Sequence, residues 1–251
     1  MRYSKELLGL FVLLMMTACV SDGGSNTSNN NSDERSGQAA LTYTKLGVYY
    51  MNKGDCALAE RRFEIAIELA PRSSMVHWTY GVLQEKLKYN KKAEASFKKA
   101  IKLDRKSGDA QNAYGAFLCR QGRIKEATSA FDKAIANPLY RNILNANLNA
   151  ADCFMQNERY AEAKPYITAA LDINEESAKA NFFLATVYFH EGRLSQSSVV
   201  RKRLSVEASD NPGVLWLCVM TERKLGNRSA EAVCTKNLLR RYPTSKEAES
   251  I

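Results

Sequence analysis

The chain repeats one pattern of apolar and small residues with a period of about 34 residues, beginning at Ala40. Counted from there, Gly47 stands at position 8 and Phe63 at position 24. The same residue types return one period later as Gly81 with Phe97, and two periods later as Gly115 with Phe131. Within each copy, apolar residues recur at intervals of three and four in two stretches, which predicts two amphipathic helices. Because one helical hairpin cannot bury its own apolar face, the copies must stack on one another.

The repeated positions resemble those of the tetratricopeptide repeat (TPR), a helix–turn–helix motif with the same period. In the first copy these positions are Tyr43, Leu46, Gly47, Tyr50, Ala59, Phe63, Ala66 and Pro71. We predict repeats over residues 40–73, 74–107, 108–141, 144–177, 178–211 and 213–246, of which the last two match the pattern least well. The expected fold is all-α, a right-handed superhelical solenoid of about six TPR hairpins extending over residues 40–246.

The N-terminus has the pattern of an export signal. Residues 1–18 combine two basic residues, a short apolar stretch and small residues before Cys19. The stretch Met16-Thr17-Ala18-Cys19 resembles a bacterial lipobox, although the usual leucine is Met16 here. The resemblance implies that Cys19 is lipidated and begins the mature chain. In such lipoproteins an aspartate after the cysteine directs the protein to the inner membrane, so Val20 favours the outer membrane, at its periplasmic face. The alternative is an ordinary signal peptide.

Residues 19–39 lack large apolar side chains apart from Val20 and are rich in Asn, Ser and Gly. Such a composition buries too little surface to fold, so we predict a disordered tether between the lipid and the first repeat.

Two pairs of cysteines are spaced so that they could meet. Cys119 and Cys153 lie one repeat period apart on the first helices of neighbouring repeats, which lie side by side in a TPR stack. A disulfide between them is plausible in an oxidising compartment. Cys218 and Cys234 form a second, weaker pair on the two helices of the sixth repeat. The alternative is that the cysteines are buried apolar side chains.

The sequence offers little for catalysis. It has two histidines, and His190-Glu191 lacks the second histidine of a zinc-protease motif. His77 stands where Tyr43 stands in the first repeat, so we expect it to pack between helices. We therefore predict no enzymatic activity, no cofactor and no metal. The net charge of +9 does not predict nucleic-acid binding, because its Lys and Arg residues are spread over many helix faces.

In TPR proteins the first helices line a concave surface, and positions 2, 5, 9, 12 and 13 point into it. These positions predict an apolar strip in the first two repeats, here called the N-terminal groove: Leu41, Val48, Met51, Met75, Trp78 and Val82. A second apolar set, the C-terminal patch, consists of Leu148, Met155, Phe182 and Phe189. Exposed apolar surfaces of this kind mark interaction sites. The alternative is that Met75, Trp78 and Val82 pack inside the repeats.

The lipobox, the tether, about six TPRs and the total length together resemble the type IV pilus biogenesis lipoproteins of the PilF and PilW family. The segment GAFLCRQGRIKEATSAFDKAIANPLY, residues 115–140, is the most family-like. The resemblance implies a pilotin, which helps the secretin reach the outer membrane and form its multimeric channel. The partner would be the secretin, bound through an apolar segment in the N-terminal groove, and the free protein would be monomeric. The alternatives are a TPR lipoprotein scaffold for outer-membrane protein assembly and a partner of a peptidoglycan enzyme.

Overall fold

The structure, a computed structural model, describes residues 26–251 as a row of antiparallel helix pairs. The first helices of the pairs are α1 (Asn26–Asn52), α3 (Ser74–Lys86), α5 (Gly108–Arg120), α7 (Ile143–Gln156), α9 (Ala178–His190) and α12 (Pro212–Lys224). The second helices are α2 (Cys56–Leu69), α4 (Asn90–Leu103), α6 (Ile124–Ile135), α8 (Tyr160–Ile173), α10 (Leu194–Arg201) and α13 (Arg228–Arg241). The short helices α11 (Val206–Ser209) and α14 (Lys246–Glu249) follow α10 and α13. The predicted all-α solenoid of helix pairs is confirmed.

A glycine and an aromatic ring bring the two helices of each early pair together. A Cβ atom added to Gly47 would lie 2.9 Å from the ring of Phe63, and one added to Gly115 would lie 2.8 Å from that of Phe131. These distances are too short for any side chain, so the ring occupies the space that glycine leaves. In the fourth repeat both partners change: Ala151 replaces the glycine and Ile167 the ring, and both are fully buried.

The same tyrosine–glutamate hydrogen bond joins neighbouring helix pairs at two places that are one repeat apart. The Tyr80 hydroxyl donates to Glu60 across 3.4 Å, and the Tyr114 hydroxyl, one repeat later, donates to Glu94 across 3.1 Å. In each case a tyrosine on a first helix contacts a carboxylate on the second helix of the preceding repeat. The repeat period therefore sets polar as well as apolar contacts between neighbours.

The turns within the repeats place one residue in the left-handed conformation. Gly54 has φ 83° and Gly122 has φ 75°, whereas Lys88 and Glu158 adopt φ 66° and 58° without being glycine. In this region of backbone conformation, a residue with a side chain is about 1–2 kcal/mol less favourable in the folded state than glycine. Glycine loses more chain entropy on folding, which offsets part of this difference. We expect Lys88→Gly to raise the free energy of unfolding by about 0.5–1 kcal/mol in urea titrations. The converse change, Gly122→Lys, should lower it by the same amount, about 0.5–1 kcal/mol. A fall in stability with Lys88→Gly would contradict this account.

The first helix begins earlier than the sequence predicts. Residues 26–39, expected to be part of a disordered tether, continue α1 as helix. Asp33, Glu34 and Arg35 are exposed there, and from Asp33 onward Ala40 is the first buried residue. The reason is cooperative: once residues 40–52 are held helical against α2, each added residue gains a backbone hydrogen bond without a new nucleation cost. The predicted signal peptide, lipidated Cys19 and remaining tether lie outside the described residues.

The second helix of the fifth repeat is short. It ends at Arg201, before Leu204. Ser197 and Ser198 direct their hydroxyls to other elements, donating to the Ala185 carbonyl across 2.7 Å and to the buried Glu222 across 2.6 Å. Burial raises the pKa of Glu222, but the Ser198 hydrogen bond and the charge of Arg201 outweigh it and lower that pKa overall. These polar contacts hold α12 against α10.

Candidate binding groove

The first helices lie side by side and carry the predicted N-terminal groove. Contacts join α1 to α3, α3 to α5 and α5 to α7, so the groove residues of consecutive repeats are neighbours. Leu41, Val48, Met75, Trp78 and Val82 are all partly buried, and none is fully open to solvent. Trp78 and Val82 pack against the core cluster that contains Phe97 and Phe117. The N-terminal groove is thus a partly buried apolar surface and not a freely exposed strip, and Trp78 packs toward the cluster shared with the third repeat.

Met51, the sixth predicted groove residue, is buried. It is 9% exposed and packs in the cluster of Phe63 and Leu83. The physical reason is its place near the end of α1, where α3 of the next repeat covers it. The Lys86 ammonium group closes this contact by donating to the Met51 carbonyl across 2.6 Å. Met51 therefore forms the floor of the N-terminal groove and offers no surface to a partner.

A polar section interrupts the apolar surface after the second repeat. Arg120 of α5 makes a bidentate ion pair with Glu85 of α3, both N–O distances being 2.6 Å. Beyond it, the Asn149 amide donates to Asn112 across 3.1 Å, and Lys179 pairs with Asp152 across 3.0 Å. These contacts link successive first helices through satisfied polar groups. An apolar partner segment in the N-terminal groove would therefore end at the Glu85–Arg120 pair.

Two members of the predicted C-terminal patch belong to the core. Leu148 is 8% exposed because it packs against Ala170 and Ala180, and Phe189 is 6% exposed. The ring of Trp216 packs edge-on against Phe189 at a centroid distance of 6.0 Å, and the Lys224 ammonium lies 4.5 Å from the same ring. Met155 and Phe182 remain partly exposed. The prediction of an open patch of four residues is thus wrong for Leu148 and Phe189.

Trp216 and Met220 are the residues that the sequence reasoning missed at this end. Both are partly buried and pack beside Phe182 and Phe189. A signal was present, because Trp216 is the fifth residue of α12, as Trp78 is of α3 and Phe182 of α9. The predicted sixth repeat begins at residue 213, one residue after the start of α12 at Pro212, so the prediction does not place Trp216 at the same repeat position as Trp78. The first helices therefore carry a tryptophan near each end of the row.

Comparison with known proteins identifies the family. Two family models described as tetratricopeptide repeat match the chain, one at residues 44–107 and 90–140 and the other at residues 145–215. The chain belongs to the tetratricopeptide-repeat family. These matches span five of the six TPR hairpins seen in the structure, from α1 to the start of α12.

Among TPR proteins, the chain is similar to two type IV pilus proteins. It is 25% identical to the type IV pilus assembly protein PilF of Pseudomonas aeruginosa, over 92% of this chain and 91% of that protein. The solved structure of P. aeruginosa PilF superposes with a TM-score of 0.75, covering 86% of this chain and 97% of the other at 24% identity. The structure of PilW, described as a widely conserved type IV pilus biogenesis factor, gives a TM-score of 0.75 and 27% identity over 85% and 98% of the two chains. The predicted resemblance to this group is confirmed.

The histidines and the acidic residues of this TPR chain form no metal cluster in the described residues. No group of three or more His, Cys, Asp or Glu side chains converges anywhere in residues 26–251. His77 is buried, and its Nε2 lies 2.8 Å from the Pro71 carbonyl. Burial lowers its pKa, with the nearby Lys99 adding to the effect and the Pro71 hydrogen bond opposing it.

Within residues 26–251, no helix has the length and apolar character needed to cross a bilayer.

Both cysteine pairs anticipated from the sequence are disulfides in the structure. Cys119 and Cys153 join α5 to α7 with their Cα atoms 5.8 Å apart. Cys218 and Cys234 join α12 to α13 at a Cα distance of 6.0 Å. Cys56 is a free thiol and is partly buried. The first bond crosses between repeats in the polar section, so it ties the two halves of the solenoid together.

Removing the disulfide between the repeats should be costly. The two cysteines have a sequence separation of 34, and for a loop of that length the chain-entropy account gives about 3–4 kcal/mol. We expect Cys119→Ala with Cys153→Ala to lower the free energy of unfolding by this amount, measured in urea under oxidising conditions. Cys56→Ala is the matched control and should change stability by less than about 1 kcal/mol. If the double variant were as stable as the parent, the bond would carry no stabilising role.

Proposed function

We propose that this protein is a pilotin of a type IV pilus system, a lipid-anchored protein at the periplasmic face of the outer membrane that binds the secretin and promotes its localisation and multimerisation. The observation that supports this most is the similarity to PilF, which extends over 92% of this chain and 91% of that protein. A similarity confined to the repeats would carry little weight, because TPR motifs serve many partners. Here the superposition also covers 97% of the solved PilF chain.

The N-terminal groove is the proposed docking place for the secretin. Its partly buried apolar side chains lie on the neighbouring helices α1 and α3 and include Trp78. An amphipathic helix or an apolar tail lays its face along such a surface. The thioether of Met75 adapts to different partner side chains. The Glu85–Arg120 ion pair limits the apolar contact to the first two repeats.

The lipid anchor would keep the bound secretin at the outer membrane. A secretin subunit held by an anchored solenoid stays near the outer membrane, where other captured subunits accumulate. Membrane confinement raises the effective concentration of the bound subunits and favours their assembly. The lipobox ending at Cys19 and the residue Val20 support an outer-membrane destination.

The anchor makes a direct prediction. Several acyl chains hold a protein firmly to a bilayer, whereas a chain without them does not stay bound. We expect Cys19→Ala to move the protein from the membrane fraction to the soluble periplasmic fraction. Immunoblotting of fractionated cells measures this change. Cys56→Ala is the control and should leave the protein with the membrane. Unchanged fractionation of Cys19→Ala after a high-salt wash, which removes weak electrostatic contacts with the bilayer, would exclude the anchor.

Affinity purification tests the proposed function itself. The tagged, anchored protein is isolated from detergent-solubilised membranes, and its partners are identified by mass spectrometry. Recovery of the secretin, together with loss of surface pili and twitching on gene deletion, supports the pilotin. Recovery of an outer-membrane protein assembly complex or a peptidoglycan enzyme, with pili intact in the deletion strain, overturns it.

A further inference from the structure

The connection between the third and fourth repeats forms a basic cavity. Residues 136–142 join α6 to α7 and form a longer connection than residues 104–107, which join α4 to α5. Between the two connections lies a cavity of about 420 Å³. Its lining includes the side chains of Arg105, Lys106 and Lys133 and no acidic residue. One wall is apolar, formed by Ala136, Pro138 and Leu139.

The cations of this cavity have no carboxylate partner in the described part of the chain. The ion pairs found within residues 26–251 involve other arginines and lysines. Two carboxylates, Asp104 and Asp109, face an adjoining depression that Lys106 and Leu139 also line, and both accept hydrogen bonds from neutral groups of the protein. Asp104 accepts from the Lys106 backbone N–H across 2.9 Å, and Asp109 accepts from the Asn142 amide across 3.2 Å. The cavity lining thus carries three cations without an ion-pair partner, while the charges of Asp104 and Asp109 remain beside it.

Leu139 projects from the rim of this cavity on a well-held loop. It is 78% exposed, the largest exposure among the large apolar side chains of the described residues. Asn137 fixes the loop on one side, accepting from the Leu139 N–H across 3.0 Å and donating to the Lys106 carbonyl across 2.6 Å. On the other side Tyr140 is buried against Gly108, where a Cβ atom would lie 2.3 Å from its ring. The loop thus holds an apolar side chain in water beside the cations.

We propose that this edge of the solenoid binds the surface of an anionic phospholipid bilayer, with Arg105, Lys106 and Lys133 at the lipid phosphates and Leu139 inserted among the acyl chains. An exposed apolar tip beside unpaired cations is the combination that peripheral membrane binding requires. A peptide pocket would instead enclose its apolar wall, and Leu139 leaves most of its surface in water. The connection between α2 and α3, residues 70–73, adds the exposed Arg72, whereas the one after the fourth repeat, residues 174–177, carries the exposed Glu175 and Glu176.

This charge difference would orient the solenoid on the membrane. The edge of the first three repeats would approach an anionic surface, and the acidic connection after the fourth repeat would turn away from it. The proposal goes beyond the pilotin role and does not depend on the secretin. If the lipid anchor is present, it raises the local concentration of bilayer, so a weak contact suffices.

Vesicle co-sedimentation tests this contact without the acyl chains. The mature chain with Cys19→Ala is mixed with one of two kinds of vesicle, phosphatidylcholine alone or phosphatidylcholine with about one third phosphatidylglycerol. The salt concentration is low, because salt screens the attraction between the cations of the protein and an anionic surface. We expect binding to the anionic vesicles only. Lys106→Ala with Lys133→Ala should lower the partition coefficient about thirtyfold, or about fivefold for each cation. Leu139→Ser should lower it about tenfold.

Matched controls separate this site from a general charge effect. The double variant Lys125→Ala with Lys236→Ala removes two exposed lysines that lie away from the cavity. Because affinity depends on contact at the cavity, its partition coefficient should stay within about twofold of the parent. Circular dichroism melting checks that every variant is folded. Equal binding to neutral and anionic vesicles, or equal losses in both double variants, overturns the proposal. Vesicle binding that millimolar inorganic phosphate abolishes would assign the cavity to free phosphate, and binding of an acidic peptide but no vesicle would assign it to a protein partner; both results overturn it.

Discussion

Replacing Phe97 by alanine is expected to lower the free energy of unfolding by about 3–5 kcal/mol, the cost of emptying a large, fully buried aromatic site. Phe97 is 0% exposed and fills the space that Gly81 leaves, where a Cβ atom would lie 3.1 Å from the ring. It also contacts the next repeat, with its centroid 6.0 Å from that of Tyr114 and 5.3 Å from that of Phe117. The variant therefore loses packing within one repeat and between two.

Urea titration followed by circular dichroism measures this effect, and Tyr49→Ala is the matched control. Tyr49 is also aromatic but is 54% exposed, so its truncation should cost less than about 1 kcal/mol. Because domains of this kind are stable by only about 5–15 kcal/mol, Phe97→Ala should also reduce the amount of protein in cells. A loss below about 1 kcal/mol would mean that the repeat collapses around the cavity at little cost.

Replacing Trp78 by alanine is expected to weaken the proposed secretin binding at least about thirtyfold, since a tryptophan hot spot contributes on the order of 2 kcal/mol or more. Trp78 is a partly buried residue of the N-terminal groove and packs against the cluster of Phe97 and Phe117. Some stability is lost with it, but less than with Phe97→Ala because the side chain is half open. The variant should remain folded and fail to support secretin multimers in the outer membrane.

Trp216→Ala is the control for this prediction. Trp216 is also a partly buried tryptophan at the fifth position of a first helix, but it lies in the sixth repeat beside Phe189. We expect this variant to bind the secretin and to assemble multimers like the parent. Thermal melting of both variants separates loss of binding from loss of folding. If Trp216→Ala abolishes assembly and Trp78→Ala does not, the partner docks at the C-terminal end of the solenoid instead.

The sequence by itself determined the helix pairs and their contacts. The repeat period placed Gly81 opposite Phe97, because an amphipathic pattern states which face of each helix is apolar. It also brought Cys119 and Cys153 close together on neighbouring first helices, where the structure joins them. These features follow from spacing alone, since every repeat packs mainly on its immediate neighbours and repeats the same geometry.

Only the tertiary structure decided which apolar residues remain open to a partner. Position in the repeat points Met51, Leu148 and Phe189 toward the surface of the first helices, yet neighbouring elements cover all three. That cover depends on the size of side chains one repeat away, such as Trp216 over Phe189, which no local pattern encodes. The start of α1 at Asn26 was likewise decided by packing further along the chain. A helix anchored at one end extends through residues whose composition alone indicates disorder.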